Sequence, residues 1–134
     1  MVISYIGIGS NLGNRRNNIE KAIKKLKKIK GIEVKKTSNI IETEPEGGPP
    51  QNKFLNGAIA IETSLLPFEL LRQLKKIEKQ LGRNKTVKNG PRVIDLDILT
   101  FGERKINTSR LKIPHPRMHK REFVMRPLKE LLYR

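Results

Sequence analysis

The chain has 134 residues, no cysteine, and 29 Lys plus Arg against 13 Asp plus Glu, giving a net charge of +16 and a pI near 10.4. That length is one ordinary domain able to bury a core unaided, so a single domain over 1–134 is expected, and the lack of thiols excludes a disulfide framework, a thiolate nucleophile and thiolate metal ligation. With no apolar run near the roughly 20 residues that span a bilayer, and no basic lead or small-residue cleavage site in "MVISYIGIGS", a cytoplasmic protein without membrane contact is expected; the charge points to a polyanion or a phosphate-bearing substrate.

In chain order, "VISYIGIG" (2–9) reads as a buried strand, which Gly7 and Gly9 would weaken unless something packs closely over their face. The next segment, "NRRNNIEKAIKKLKKIKG", places Ile19, Ala22, Ile23, Leu26 and Ile29 at three- and four-residue steps, with Asn14 as cap and Gly31 as stop. It is an amphipathic helix, and its lysines form a solvated face. "EVKKTSNII" (33–41) is a second strand, leading into the turn-dense loop "ETEPEGGPPQNK".

A third strand, "FLNGAIAIET" (54–63), alternates Leu55, Gly57, Ile59 and Ile61 with Phe54, Asn56, Ala58 and Ala60, the second face being small except for one ring and one amide. "PFELLRQLKKIEKQLG" is a second helix opening at Pro67, closing at Gly82, with Leu70, Leu71, Leu74, Ile77 and Leu81 as its core stripe. After a basic loop, a strand runs from about Val93 to Phe101. A short hairpin around Gly102 and Glu103, a Pro-flanked segment and a helix from Pro127 complete the chain. The order strand, helix, strand, strand, helix, strand is that of a ferredoxin-like α+β sandwich, with two long helices on one face of an antiparallel sheet and the other face open and loop-rich.

The strand "VIDLDILTF" carries the chemistry. Period two puts Asp95 and Asp97 on one face about 6.5–7 Å apart at Cα, with Ile94, Leu96 and Ile98 turned to the helices. Carboxylates so close repel unless a cation lies between them. Magnesium takes oxygen ligands and is held by one or two carboxylates plus substrate phosphates, so the pair reads as a metal platform for a nucleotide. D-x-D alone is more often two solvated aspartates. Here a Gly-Pro-Arg turn precedes it and Arg83, Lys85, Lys88, Arg92, Arg104, Arg110, Lys112, His115, Arg117, Lys120 and Arg121 flank it, the cationic surroundings a metal-bound triphosphate requires.

"GIGSNLGN" has neither Walker nor dinucleotide spacing, and His115 with His119 lacks a third zinc ligand. The runner-up class is a basic RNA-binding domain of the same fold. Its stacking aromatics and ribonucleoprotein motif are missing, with 4% aromatic residues in the chain.

Taken together, "YIGIGSNLGN", "ETEPEGGPPQNKFLNGAIAIET", "EKQLGR", "GPRVIDLDIL" and "IPHPRMHKREFVMRPL" resemble, in colinear order over nearly the whole chain, the 6-hydroxymethyl-7,8-dihydropterin pyrophosphokinases of folate biosynthesis. The resemblance implies transfer of the β,γ-pyrophosphoryl group of ATP to the pterin hydroxymethyl oxygen, releasing AMP. It further implies two magnesium ions on Asp95 and Asp97, with Arg83, Arg92 and Asp97 catalytic. Lys75, Glu78, Lys85, Arg92, Ile98, Arg110, Lys112, His115 and Arg121 fall where the family binds ATP. Thr43, Pro45, Phe54, Asn56 and Phe123 fall where it binds the pterin, the two rings sandwiching the heterocycle. Loops 44–52 and 83–92 would be lids, and the partners would be small molecules of a monomer, with no nucleic acid. The chain departs from the family at Asn89, where an aromatic is usual, and at Lys85 and Lys88, where arginine is common.

Overall fold

The computed structural model describes residues 1–82 and 90–133. Its elements are β1 (Val2–Ser10), α1 (Arg15–Lys27), β2 (Ile32–Thr37), β3 (Ile41–Thr43), β4 (Phe54–Thr63), α2 (Pro67–Gln80), β5 (Asp95–Phe101), β6 (Ile106–Asn107), β7 (Lys112–Ile113), a 3₁₀ turn at Met118–Lys120, and α3 (Glu122–Leu132). The fold is α+β. One antiparallel sheet runs in the order β2-β4-β1-β5, with β3 also paired to β4, and β6 and β7 form a separate ribbon. β1 and β2 are therefore parallel with β4 between them, and β4 and β5 are parallel with β1 between them. The chain is two interleaved β-α-β units.

The sequence explains the helix ends. The Asn14 side chain accepts from the Asn17 N–H at 3.1 Å and caps α1, as its position predicts. At the start of α2, Pro67 occupies the first turn and the Glu69 carboxylate accepts from the Leu66 N–H at 2.8 Å. Ile19, Ala22 and Leu26 of α1 and Leu70, Leu74 and Ile77 of α2 are buried against Ile6, Ile8, Ile59, Ile61, Leu96 and Ile98 of the sheet. This is the main core, on the face the alternation of β4 and β5 predicts.

Four features depart from the sequence reading. The second strand is split: β2 ends at Thr37 and β3 begins at Ile41. Between them the Ser38 hydroxyl accepts from the Ala58 N–H at 2.8 Å, and the Ile40 side chain fills the space that a Cβ on Gly57 would occupy, 2.6 Å from that position. Past Phe101 the turn at Gly102 and Glu103 forms, with Gly102 at φ +54, but the paired ribbon lies further on, joining Ile106 to Ile113.

The last helix starts at Glu122, five residues before Pro127, which sits inside it. Proline removes one backbone hydrogen bond there, and burial of its ring offsets part of the loss. Finally, the second face of the sheet is not left open along its whole length. α3 covers one half, packing Leu131 on Ala58, Ala60 and Tyr5, and Leu128 on Leu99 and Met118. The Glu130 carboxylate accepts from the Asn39 N–H at 2.7 Å and ties this helix to the β2–β3 link.

A bulge serves that second layer. Tyr5 pairs with Thr100 and Ile6 with Ile98, so Leu99 is an extra residue, and both Ile98 and Phe101 reach the helix-side core although three apart. Leu99 itself joins Asp95 and Asp97 on the opposite face.

The contact over Gly57 yields a prediction. Gly57→Ala will destabilise the chain by about 1–3 kcal/mol through overpacking against Ile40. Urea denaturation of Gly57→Ala, Ile40→Ala and the double variant measures it, and the double variant will lose less than the two single losses added.

Candidate active site

The uncovered half of the second face holds a cavity of about 140 Å³, an order of magnitude above what one water requires. Its floor follows from register. Gly9 lies between Asn56 on β4 and Asp95 on β5, and Gly7 lies between Ala58 and Asp97. Because the central strand contributes only Gly7 and Gly9 to this half of the face, the floor is bare backbone, with an amide on one side and two carboxylates on the other. At about 4.8 Å per strand step, the Asn56 and Asp95 backbones stand about 10 Å apart. The expectation that something lies close over the two glycines holds at Gly9, where a Cβ would come within 2.6 Å of the Asn56 Oδ1; at Gly7 a Cβ would meet Leu99 at 3.4 Å, an ordinary contact.

The walls come from other elements. Phe54, Thr43, Glu44 and Glu46 stand on the β3–β4 side, Gly90 and Arg92 on the segment entering β5, and His115, Arg121, Phe123 and Val124 on the segment leading into α3. The Asn56 amide donates to the Thr43 hydroxyl at 2.6 Å, which fixes its orientation. Arg121 lies 5.5 Å from the centre of the Phe123 ring and pairs with Glu46 at 3.3 Å. Its Nε–H is buried with no hydrogen-bond partner among the described residues, a donor left for something that enters the cavity. Arg92 directs Nη1 to the carbonyls of Gly90 and Pro91, each at 3.2 Å.

His115 is held below its ordinary pKa of 6.5, first by burial and then by the charge of Arg121, with Asp95 pulling in the opposite direction. Its neutral form is the one the fold favours. The Arg117 N–H donates to His115 Nδ1 at 3.4 Å, an arrangement that also requires an unprotonated nitrogen there.

Of the residues singled out from sequence, Asp95, Asp97, Arg92, His115, Arg121, Thr43, Phe54, Asn56 and Phe123 line this one cavity. Others lie elsewhere. Lys75 is exposed on α2, and Lys112 is exposed on β7. Arg110 sits with its guanidinium 5.5 Å from the Phe68 ring centre. Ile98 is in the helix-side core, 4% exposed. Pro45 falls between two lining residues without lining the cavity itself. Glu78 is buried at 5% exposure, and its carboxylate accepts at 2.8 Å from the N–H of Leu96, the residue between the two aspartates. Arg83 and Lys85 lie outside the described residues. Sequence reasoning missed Glu44, Glu46 and Val124; only proximity to Thr43 and Phe123 could have flagged them.

Magnesium fits what is present. Among the described residues there is no cluster of three or more His, Cys, Asp or Glu able to hold an ion. Two carboxylates beside an open cavity are the donor set of an ion that completes its shell with phosphate and water rather than an all-protein cage.

Residues 5–133 match the sequence profile of the family described as 7,8-dihydro-6-hydroxymethylpterin-pyrophosphokinase. The chain belongs to this family. Among curated pyrophosphokinase relatives, the 2-amino-4-hydroxy-6-hydroxymethyldihydropteridine pyrophosphokinase of Bacillus subtilis (strain 168) is 47% identical over 96% of this chain and 77% of its own length. That of Aquifex aeolicus (strain VF5) is 45% identical over 98% of this chain and 81% of its own. The folate synthesis bifunctional protein of Arabidopsis thaliana is 48% identical over 95% of this chain, which spans 26% of that longer protein. The RNA-binding alternative gains nothing from these pyrophosphokinase matches.

The lowered pKa of His115 fixes the sign of a pH effect. Above pH 6.5 the imidazole is neutral in folded and unfolded chains alike and this stabilisation is complete; it is lost as pH falls from there through the lower folded value, because the unfolded chain takes up the proton first. The drop in thermal midpoint between about pH 7.5 and about pH 5 will therefore be smaller in His115→Gln than in the wild type.

Proposed function

We propose that the chain transfers the β,γ-pyrophosphoryl group of ATP to the hydroxymethyl oxygen of 6-hydroxymethyl-7,8-dihydropterin, giving the pterin diphosphate and AMP, a step of tetrahydrofolate biosynthesis. The observation that carries this reading is the juxtaposition of a paired carboxylate, Asp95 and Asp97, with an amide-and-aromatic pocket across a glycine floor. Membership of the pyrophosphokinase family supports it. The strand order β2-β4-β1-β5, with α1 and α2 on one face, supports assigning the fold as a ferredoxin-like sandwich, one domain over the whole chain.

In this reading Asn56, oriented by Thr43, reads the polar edge of the pterin while Phe54 and Phe123 take its two faces. Arg121 offers its unpaired Nε–H, and Arg92 its guanidinium, to the phosphates. Two magnesium ions at Asp95 and Asp97 would neutralise triphosphate charge and acidify the hydroxyl. The hydroxymethyl oxygen attacks the β-phosphorus in line, the bond from that phosphorus to the α,β-bridging oxygen breaks, and AMP leaves; the hydroxyl proton passes to Asp97 or to water. Positioning and electrostatics supply most of the rate. Arg83 and Lys85, outside the described residues, are assigned by family resemblance, Arg83 to the phosphates and Lys85 to ATP. So are Lys75, Glu78, Ile98, Arg110 and Lys112 for ATP, and Pro45 for the pterin. The protein acts as a cytoplasmic monomer.

The deciding experiment incubates the protein with ATP, magnesium and the hydroxymethyldihydropterin. AMP must form in step with pterin diphosphate and only when the pterin is present; AMP at the same rate without it contradicts the proposal. Asp95→Asn and Asp97→Asn will each lower kcat by about 10²–10³-fold, with thermal midpoints within a few degrees of wild type. Gly9→Ala will push the Asn56 amide off Thr43 and raise KM for the pterin by about tenfold, leaving KM for ATP nearly unchanged.

A further inference from the structure

One buried polar side chain in the neighbourhood has no part in the mechanism above. Asn11, 1% exposed, follows the last residue of β1. Its backbone N–H donates to the Arg92 carbonyl at 3.0 Å, and its side-chain Oδ1 accepts from the Arg92 N–H at 2.7 Å. A single residue thus fixes both backbone polar groups of Arg92. The other end of the same amide donates to the Gln51 Oε1 at 2.7 Å and to the Asn52 carbonyl at 3.0 Å. These two residues close the loop that carries Glu44 and Glu46 and lead into Phe54.

The chemistry requires an amide. An aspartate would keep the acceptor for Arg92 but offer nothing to two oxygen acceptors, and serine would be too short to span both sides. Buried hydrogen bonds of this kind exclude water and lock side-chain rotamers, which is how a supporting residue sets the aim of a group beyond it.

We infer that Asn11 is a positioning residue that aims Arg92 at the cavity and fastens the 51–52 end of the neighbouring loop to it, so the phosphate side and the aromatic side of the site keep one spacing. This rests on the assignment of Arg92 to the phosphates.

Two measurements test it. By NMR, the Arg92 amide will exchange with deuterium about tenfold faster in Asn11→Ala than in wild type, while the amide of Ile59 in the centre of the sheet keeps its rate. Unchanged exchange at Arg92, or equal acceleration at Ile59, overturns the inference. In the pterin-dependent AMP assay, Asn11→Ala will lower kcat by about tenfold, and the same substitution placed on Arg92→Ala will change kcat less than about twofold. An undiminished effect on the Arg92→Ala background also overturns it. Should Asn11→Ala fail to fold, Gln51→Ala removes the acceptor of the Asn11 amide, together with the Gln51 bond to the Pro49 carbonyl, at a partly exposed position. It will lower kcat/KM for the pterin by about threefold without moving the thermal midpoint, and no change refutes the loop connection. If the wild type itself gives no pterin-dependent AMP, the functional proposal fails, and the exchange result decides the role of Asn11 alone.

Discussion

Two glycines in the central strand govern what the rest of the molecule can do. In an antiparallel sheet, side chains of neighbouring strands stand shoulder to shoulder, and any residue with a Cβ at position 9 would meet the Asn56 amide within 2.6 Å. Removing side chains there creates a trough with backbone as its floor. Once the trough exists, β4 supplies one rim and β5 the other, and antiparallel register forces Asn56 opposite Asp95 and Ala58 opposite Asp97 through the same two positions. The site is thus set by pairing register before any loop is placed. The weakening that glycine brings to a strand is offset by pairing along both edges of β1 and by the helix-side core beneath it.

The two faces of the sheet divide the work. α1 and α2 seal the helix side with aliphatic residues, while α3 covers only the half of the other face that Ala58, Ala60 and Leu99 leave apolar. The helix therefore does two things: it completes a second small core, and its N-terminal end brings Arg121, the residue before its first turn, and Phe123 to the edge of the trough. Charge is arranged by the same logic. Although the chain carries +16, the cavity brings together Glu44, Glu46, Asp95 and Asp97 with Arg92, Arg121 and His115. A site of mixed sign suits a metal-bound polyphosphate, which presents cation and anion at once. The general lysine excess, by contrast, sits on exposed faces such as that of α1.

Much of this was legible in the amino-acid sequence because periodicity reports burial directly. The alternation in 54–63 and in "IDLDI" assigned faces correctly, and Asn14, Pro67 and Gly82 marked helix limits through capping and turn chemistry. What escaped was decided by contacts distant in sequence. The break at residues 38–40 depends on Ile40 lying over Gly57, and the early start of α3 depends on a buried Pro127, against the local preference of proline for a first turn. The family resemblance named residues from every part of the chain, and the geometry gathers about half of them. Lys75, Arg110, Lys112 and Ile98 have positions explained by packing or solvent, and Glu78 supports the strand between the aspartates from behind. No pattern in a single sequence separates a cavity-facing carboxylate from one that accepts a backbone N–H on the opposite side of the same strand.

The central claim is spatial: the carboxylates of Asp95 and Asp97 hold divalent metal on the same side of the sheet as the Asn56 amide, across the glycine floor. Crystals grown with manganese in place of magnesium, a non-hydrolysable ATP analogue and the pterin would locate the ions by anomalous scattering. The account predicts anomalous peaks about 2.0–2.3 Å from oxygens of both aspartates, with the pterin over Gly9 and its polar edge on Asn56. Manganese bound elsewhere, or a pterin outside the trough, would contradict it.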